Sequence, residues 1–148
     1  GHLTPEHQAL RLLVHRPEEI RDHLVAALFD DPLNRAALGA LCDHEDLHSA
    51  MEAGDGVVAD LLGRLAVQDA SDDEPRGILS RLLFLAAERA AVALEAEARL
   101  SGDLATYQPS ISYLRTQIIG LREAPSDLAT IQPLLRWLVD YSEGRVDA

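Results

Sequence analysis

The chain predicts an all-α fold: an orthogonal bundle of about six helices with a long sixth helix, followed by a C-terminal helical hairpin. Three observations lead there. Apolar residues recur at three- and four-residue spacing along most of the 148 residues, the period of an amphipathic helix. The apolar mass is Leu, Ala, Val and Ile, with aromatics at only 4%, which suits helices packed through small aliphatic side chains. Two phrases, Leu12-Leu13-Val14-His15-Arg16-Pro17-Glu18-Glu19 and Phe29-Asp30-Asp31-Pro32-Leu33-Asn34-Arg35, each set a proline after an apolar run. There its fixed φ and missing N–H fit a first helical turn. Two such stops so close together describe short helices.

The first helix starts with Thr4 as cap and Pro5 at its first position and runs to His15, with Leu10, Leu13 and Val14 on one face. A second is expected over about Glu18 to Phe29, through Ile20, Leu24, Ala27 and Leu28. The Asp30-Asp31-Pro32 turn opens a third, lined by Leu33, Ala37, Leu38 and Leu41. A fourth covers about Leu47 to Glu52 and ends at Gly54-Asp55-Gly56; the fifth, Val57 to Val67, buries Val58, Leu61, Leu62 and Leu65. The acidic stretch Ala70-Ser71-Asp72-Asp73-Glu74-Pro75 starts the sixth, which runs to Leu100 and closes at Ser101-Gly102. Its apolar middle, Leu82 to Leu94, is expected to cross the bundle core, and its polar last turns, Glu95 to Arg99, to protrude. After a linker at Asp103 to Gln108, one helix runs from about Pro109 or Ser110 to Arg122. The turn Glu123-Ala124-Pro125-Ser126 then leads into a last helix from Asp127 to about Ser142. The expected division is a bundle over 1–103 and a hairpin over 104–148.

Charge narrows the function classes. Every one of the 13 basic residues is arginine, which points to a GC-rich genome, and the net charge is −12. Residues 17–75 hold 15 acids against Arg21, Arg35 and Arg64, whereas 76–148 is nearly neutral. Nucleic-acid affinity rests on neutralising phosphates, so no direct nucleic-acid binding is expected. The apolar C-terminal half is the better surface for a protein partner. Cys42 is the single cysteine, read as a small buried thiol in a reducing cytoplasm. No charge-free run of about 18 apolar residues occurs, so no membrane span is expected. The opening Gly1-His2 reads as a tag scar on a piece of a longer protein.

One stretch imitates a catalytic motif. His44-Glu45-Asp46-Leu47-His48 matches H-E-x-x-H, in which two histidines one helical turn apart ligate zinc and the glutamate activates water. That chemistry needs the middle of an apolar helix, yet Asp43 and Asp46 mark a loop-to-helix junction, and no histidine follows His48. The stretch reads as a solvated cap, with no metal and no cofactor expected. The paired carboxylates Asp30-Asp31 and Asp72-Asp73 also read as caps.

The terminal hairpin carries a different signal. Leu128, Ile131, Leu135 and Leu138 are expected to meet Leu114, Ile118 and Leu121, while Leu134, Trp137 and Tyr141 form a second stripe rotated by roughly a quarter turn. Trp137 is the only tryptophan and has Arg136 beside it; Trp, Tyr and Arg are common interface anchors. Gln132-Pro133 either kinks this helix or starts it.

The two proline phrases also resemble the helicase-binding C-terminal domain of bacterial replicative DNA primases. That domain opens with a Leu-Leu pair shortly before Pro-Glu, here Leu12-Leu13 and Pro17-Glu18. A D-P-x-x-R turn follows, here Asp31-Pro32 through Arg35. Short helices, a long helix and a terminal hairpin come next, so the resemblance covers essentially the whole chain. It implies a non-catalytic interaction domain of the primosome: a bundle that stimulates the hexameric replicative helicase and a hairpin that grips it. Primer synthesis would belong to other domains, and the protein would be cytoplasmic and replisome-associated. The helicase-binding residues would be Ile118, Leu121, Arg122, Leu134, Arg136, Trp137, Leu138 and Tyr141. The family also binds the acidic tail of single-stranded-DNA-binding protein near its first helix; the corresponding side chains are His7, Arg11 and Arg16, with Glu6 among them. Three alternatives stand: the N-terminal domain of the replicative helicase, whose Gly-Gly-x-x-Tyr-Leu phrase is missing here; a zinc peptidase on His44 and His48; and a helical oligomerisation module.

Overall fold

A computed structural model describes residues 4–125 and 127–146. Gly1, His2 and Ser126, to which the sequence assigned a tag scar and part of a turn, lie outside the described residues. The chain is all-α, with seven α-helices and no strand among the described residues: α1 (Pro5–His15), α2 (Pro32–Asp43), α3 (Leu47–Ala53), α4 (Gly56–Ala66), α5 (Pro75–Ser101), α6 (Leu104–Glu123) and α7 (Leu128–Ser142). No described helix is long and apolar enough to cross a membrane.

Side-chain oxygens start most of these helices. Thr4 accepts from the His7 N–H at 3.2 Å, Asp31 from Leu33 and Asn34, Asp46 from Ser49 at 2.7 Å, and Asp55 from Val58 at 3.0 Å. Asp103 and Asp127 do the same for α6 and α7. Each supplies an acceptor to an amide that the helix cannot satisfy itself. The acidic excess of residues 17–75 is therefore partly structural. Asp73 departs from the expected role, because its carboxylate is held by Arg11.

The chain forms two compact units, one up to Leu79 and one from Ser80. The division between them falls inside α5. In the first unit α1, α2, α3 and α4 pack on one another around Leu10, Leu12, Leu28, Phe29, Leu62 and Leu65, each at most 2% exposed. The second helix expected over Glu18 to Phe29 is instead three 3₁₀ turns, Pro17–Glu19, Arg21–His23 and Ala26–Leu28. Extended backbone at Leu24 and Val25 interrupts any continuous α-helix. The expected apolar residues Ile20, Leu24 and Leu28 are buried all the same.

In the second unit the remainder of α5 meets α6 and α7. Its buried row Leu82, Leu83, Ala86, Ala87, Ala90, Ala91, Leu94 and Ala98 occupies one face, while Val92 and Leu100 on the other are 54% and 90% exposed. The last turns of α5 do not protrude, since Ala98 is buried and Glu95 is held at 2.7 Å by Arg115 of α6. The Asp103–Gln108 segment is not a linker. Asp103 caps α6 there, and the helix continues through Pro109. Pro133 likewise lies inside α7, which starts at Leu128. Both prolines are solvent-exposed, so the carbonyls four residues back, which lose a donor, lie at exposed positions of the helix.

Candidate docking surface on α6 and α7

The pairing of α6 with α7 follows from small and apolar residues at matched positions. A side chain on Gly120 would stand 3.4 Å from the Thr130 methyl, and Tyr113 stacks on Trp137 with ring centroids 5.7 Å apart. The two pairs run in opposite sense along the helices, so α6 and α7 are antiparallel. Asp127 donates its N–H to the Ala124 carbonyl at 3.2 Å and helps close the turn between them. Leu114, Ile118 and Leu121 of α6 are buried, as are Ile131, Leu134 and Leu138 of α7. The buried face of α7 is therefore rotated from expectation: Leu134 is in the core, and Leu128 and Leu135 are half-buried.

Trp137 stands between two tyrosines. Its ring lies 5.7 Å from Tyr113 at 28° and 5.2 Å from Tyr141 at 15°. Such offset stacking adds stability beyond area burial alone. All three rings are half-buried, with part of each surface open to solvent, and burial pushes both phenols above their usual pKa. Beside the stack is a groove of about 440 Å³, lined by Tyr113, Leu128, Pro133, Arg136, Trp137 and Asp140, with Ala129 and Gln132 completing it.

The eight residues assigned to helicase binding fall into two groups. Ile118, Leu121, Leu134 and Leu138 are at most 4% exposed; they hold the helices together and offer no surface to a partner. Arg122, Arg136, Trp137 and Tyr141 retain accessible surface. Arg122 rests 5.1 Å above the Phe84 ring, a cation–π contact that also ties α6 to α5. Tyr113 belongs with the accessible group and escaped the sequence reading. The sequence carried no signal for it, because its meeting with Trp137 depends on how α6 and α7 are rotated against each other.

The three residues implied for binding an acidic tail are mostly committed within the first unit. Arg11 forms a forked pair with Asp73 at 3.1 and 2.9 Å. Arg16 donates to the carbonyls of Ala70 and Asp73 at 2.8 and 2.9 Å and pairs with Glu19. That pairing raises the Arg16 pKa and lowers that of Glu19. Glu6 accepts from the Asp30 and Asp31 amides and from Asn34 Nδ2 at 3.0 to 3.3 Å. Arginine and glutamate here fasten loops onto α1. His7 is half-buried near the start of α1.

The H-E-x-x-H stretch is split between elements. His44 ends α2, Asp46 caps α3, and only His48 is inside a helix, 3.1 Å from Glu52. The histidines therefore do not occupy one helical face as zinc-peptidase chemistry needs. The Ser49 amide holds the Asp46 carboxyl below the usual carboxylate range. Cys42 is half-buried, not fully buried, and burial pushes its thiol up. No family model matches the chain, and no curated protein or solved structure matches it.

Proposed function

We propose that this chain is a non-catalytic interaction domain of a bacterial replicative DNA primase that docks on the hexameric replicative helicase through α6 and α7. The observation that carries this reading is the half-open stack of Tyr113, Trp137 and Tyr141 on an antiparallel helix pair, next to an apolar groove. Aromatic side chains with an accessible face and a rigid mounting make good interface anchors. The order of sequence phrases, from Leu12-Leu13 and Pro17-Glu18 to Asp31-Pro32 and Arg35, supports the primase side of the partnership over the helicase N-terminal domain.

In this reading the helices form an orthogonal bundle followed by a hairpin, and the bundle stimulates the motor while the hairpin holds it. Primer synthesis belongs to other domains of the full protein, which acts at the replication fork in the cytoplasm. The acidic chain repels nucleic acid and needs no cofactor. The commitment of Arg11 and Arg16 within the first unit favours helicase as the partner over the acidic tail of single-stranded-DNA-binding protein.

Size-exclusion chromatography with the helicase of the same organism tests this. The wild-type chain is expected to co-elute with the hexamer, and a Trp137→Ala, Tyr141→Ala double variant of unchanged helicity to elute alone. Failure of the wild type to co-elute would remove the proposal.

A further inference from the structure

Resting on the helicase-docking reading, we propose that the groove beside Trp137 receives an amphipathic partner helix whose apolar ridge carries a carboxylate, and that Arg136 pairs with that carboxylate. The shape of the groove points to a helix. Its α7 lining comes from two adjacent rows, Leu128-Gln132-Arg136-Asp140 and Ala129-Pro133-Trp137, each with four-residue steps along one face. From Leu128 to Asp140 such a row extends about 18 Å at 1.5 Å per residue. A trough of that length matches about three turns of a helix laid along it, the geometry by which amphipathic helices dock in apolar grooves. Tyr113 closes one end from α6.

The chemistry of the two rows differs, and the difference selects the ligand. The Ala129-Pro133-Trp137 row is apolar and ends in the stacked indole, so it takes aliphatic side chains. The Leu128-Gln132-Arg136-Asp140 row adds an amide, a cation and an anion. The anion, Asp140, lies 4.0 Å from Arg145, the outer limit of an ion pair. The arginines of α6 are engaged, Arg115 by Glu88 and Glu95 and Arg122 by the Phe84 ring. Among the described residues no carboxylate pairs with Arg136, which is exposed on the wall of the groove. A guanidinium there, beside low-dielectric aromatic surface, favours a planar bidentate carboxylate over any neutral or cationic group. Pro133 adds a second polar feature. It cannot donate to the Ala129 carbonyl, and both residues line the groove, which leaves an acceptor at an exposed position.

Calorimetric titration of the full chain into the replicative helicase at two salt concentrations tests the pairing, with Arg136→Gln, Arg136→Glu and Trp137→Ala measured alongside the wild type. Arg136→Gln is expected to weaken binding about fivefold and Arg136→Glu on the order of tenfold or more. Both variants are expected to show less salt dependence than the wild type, with circular dichroism unchanged. Wild-type affinity in both Arg136 variants, with Trp137→Ala still weakened, would overturn the carboxylate pairing and leave the docking reading intact. No binding by the wild type would overturn both.

Discussion

Single side chains decide whether α7 is a docking element or only a structural one. Trp137 is stacked on two tyrosines yet partly open, so its removal costs contact at an interface more than it costs the fold. Trp137→Ala is expected to weaken helicase binding by about 2 kcal/mol, roughly thirtyfold, while helix content holds; titration calorimetry with circular dichroism checks both. Arg11 behaves in the opposite way. Its forked pair with Asp73 is only 15% and 11% exposed, and truncating one partner leaves the other charge poorly solvated. Arg11→Ala is expected to cost about 2 kcal/mol of stability without changing helicase affinity, as read from urea unfolding and the same titration. The carboxylates of Glu19, Asp46 and Asp69 are all held below their usual range, by Arg16 for the first and by backbone amides for the other two. A depressed carboxyl contributes stability above its unfolded pKa and loses it as pH falls through the folded value. The melting temperature is therefore expected to drop below about pH 4.5. Asp46→Asn, which keeps a capping oxygen, is expected to lose less on acidification than the wild type in the same melting series.

Helices differ in how plainly the sequence announces them. The starts of α1, α2 and α5 were legible because each has a cap or proline before an apolar face at helical spacing: Thr4-Pro5, Asp31-Pro32 and Glu74-Pro75. The same logic misled at 17–28, where apolar spacing survived but the backbone turned into three 3₁₀ segments. Burial of Ile20, Leu24 and Leu28 needs only that side chains reach the core, which short turns also allow. It misled again at Pro109, expected at a helix start, because a proline on the solvent side loses one hydrogen bond that water can replace; at Pro133 the alternative of a proline within the helix holds. Removing that cost makes an element-scale prediction. Pro109→Ala is expected to stabilise the chain by up to about 1 kcal/mol, through the added backbone hydrogen bond, measured as a shift in the denaturation midpoint. The candidate surface was half legible. Trp137, Tyr141 and Arg136 stood out by residue type, but the sequence could not say that Leu134 faces inward or that Tyr113, one helix away, completes the stack. Those facts depend on the rotation of α7 against α6, which many side chains set together.

At the scale of the whole molecule, two compact units share one helix, with α5 entering at Pro75 in the first and ending at Ser101 in the second. Acids concentrated in residues 17–75 give the first unit most of the net charge of −12, and many of them cap helices or pair with arginine. Aromatic surface is concentrated in the second unit, in the row of Tyr113, Trp137 and Tyr141. Aromatic surface and charge are thus carried by different parts of the chain. Hydrogen–deuterium exchange of the full chain, alone and with a saturating amount of the replicative helicase, tests the division most directly. Docking through the hairpin predicts slowed exchange over α7 and the facing turns of α6, centred on residues 128–141. Slowing confined to α1–α4, or none anywhere in the chain, would contradict it.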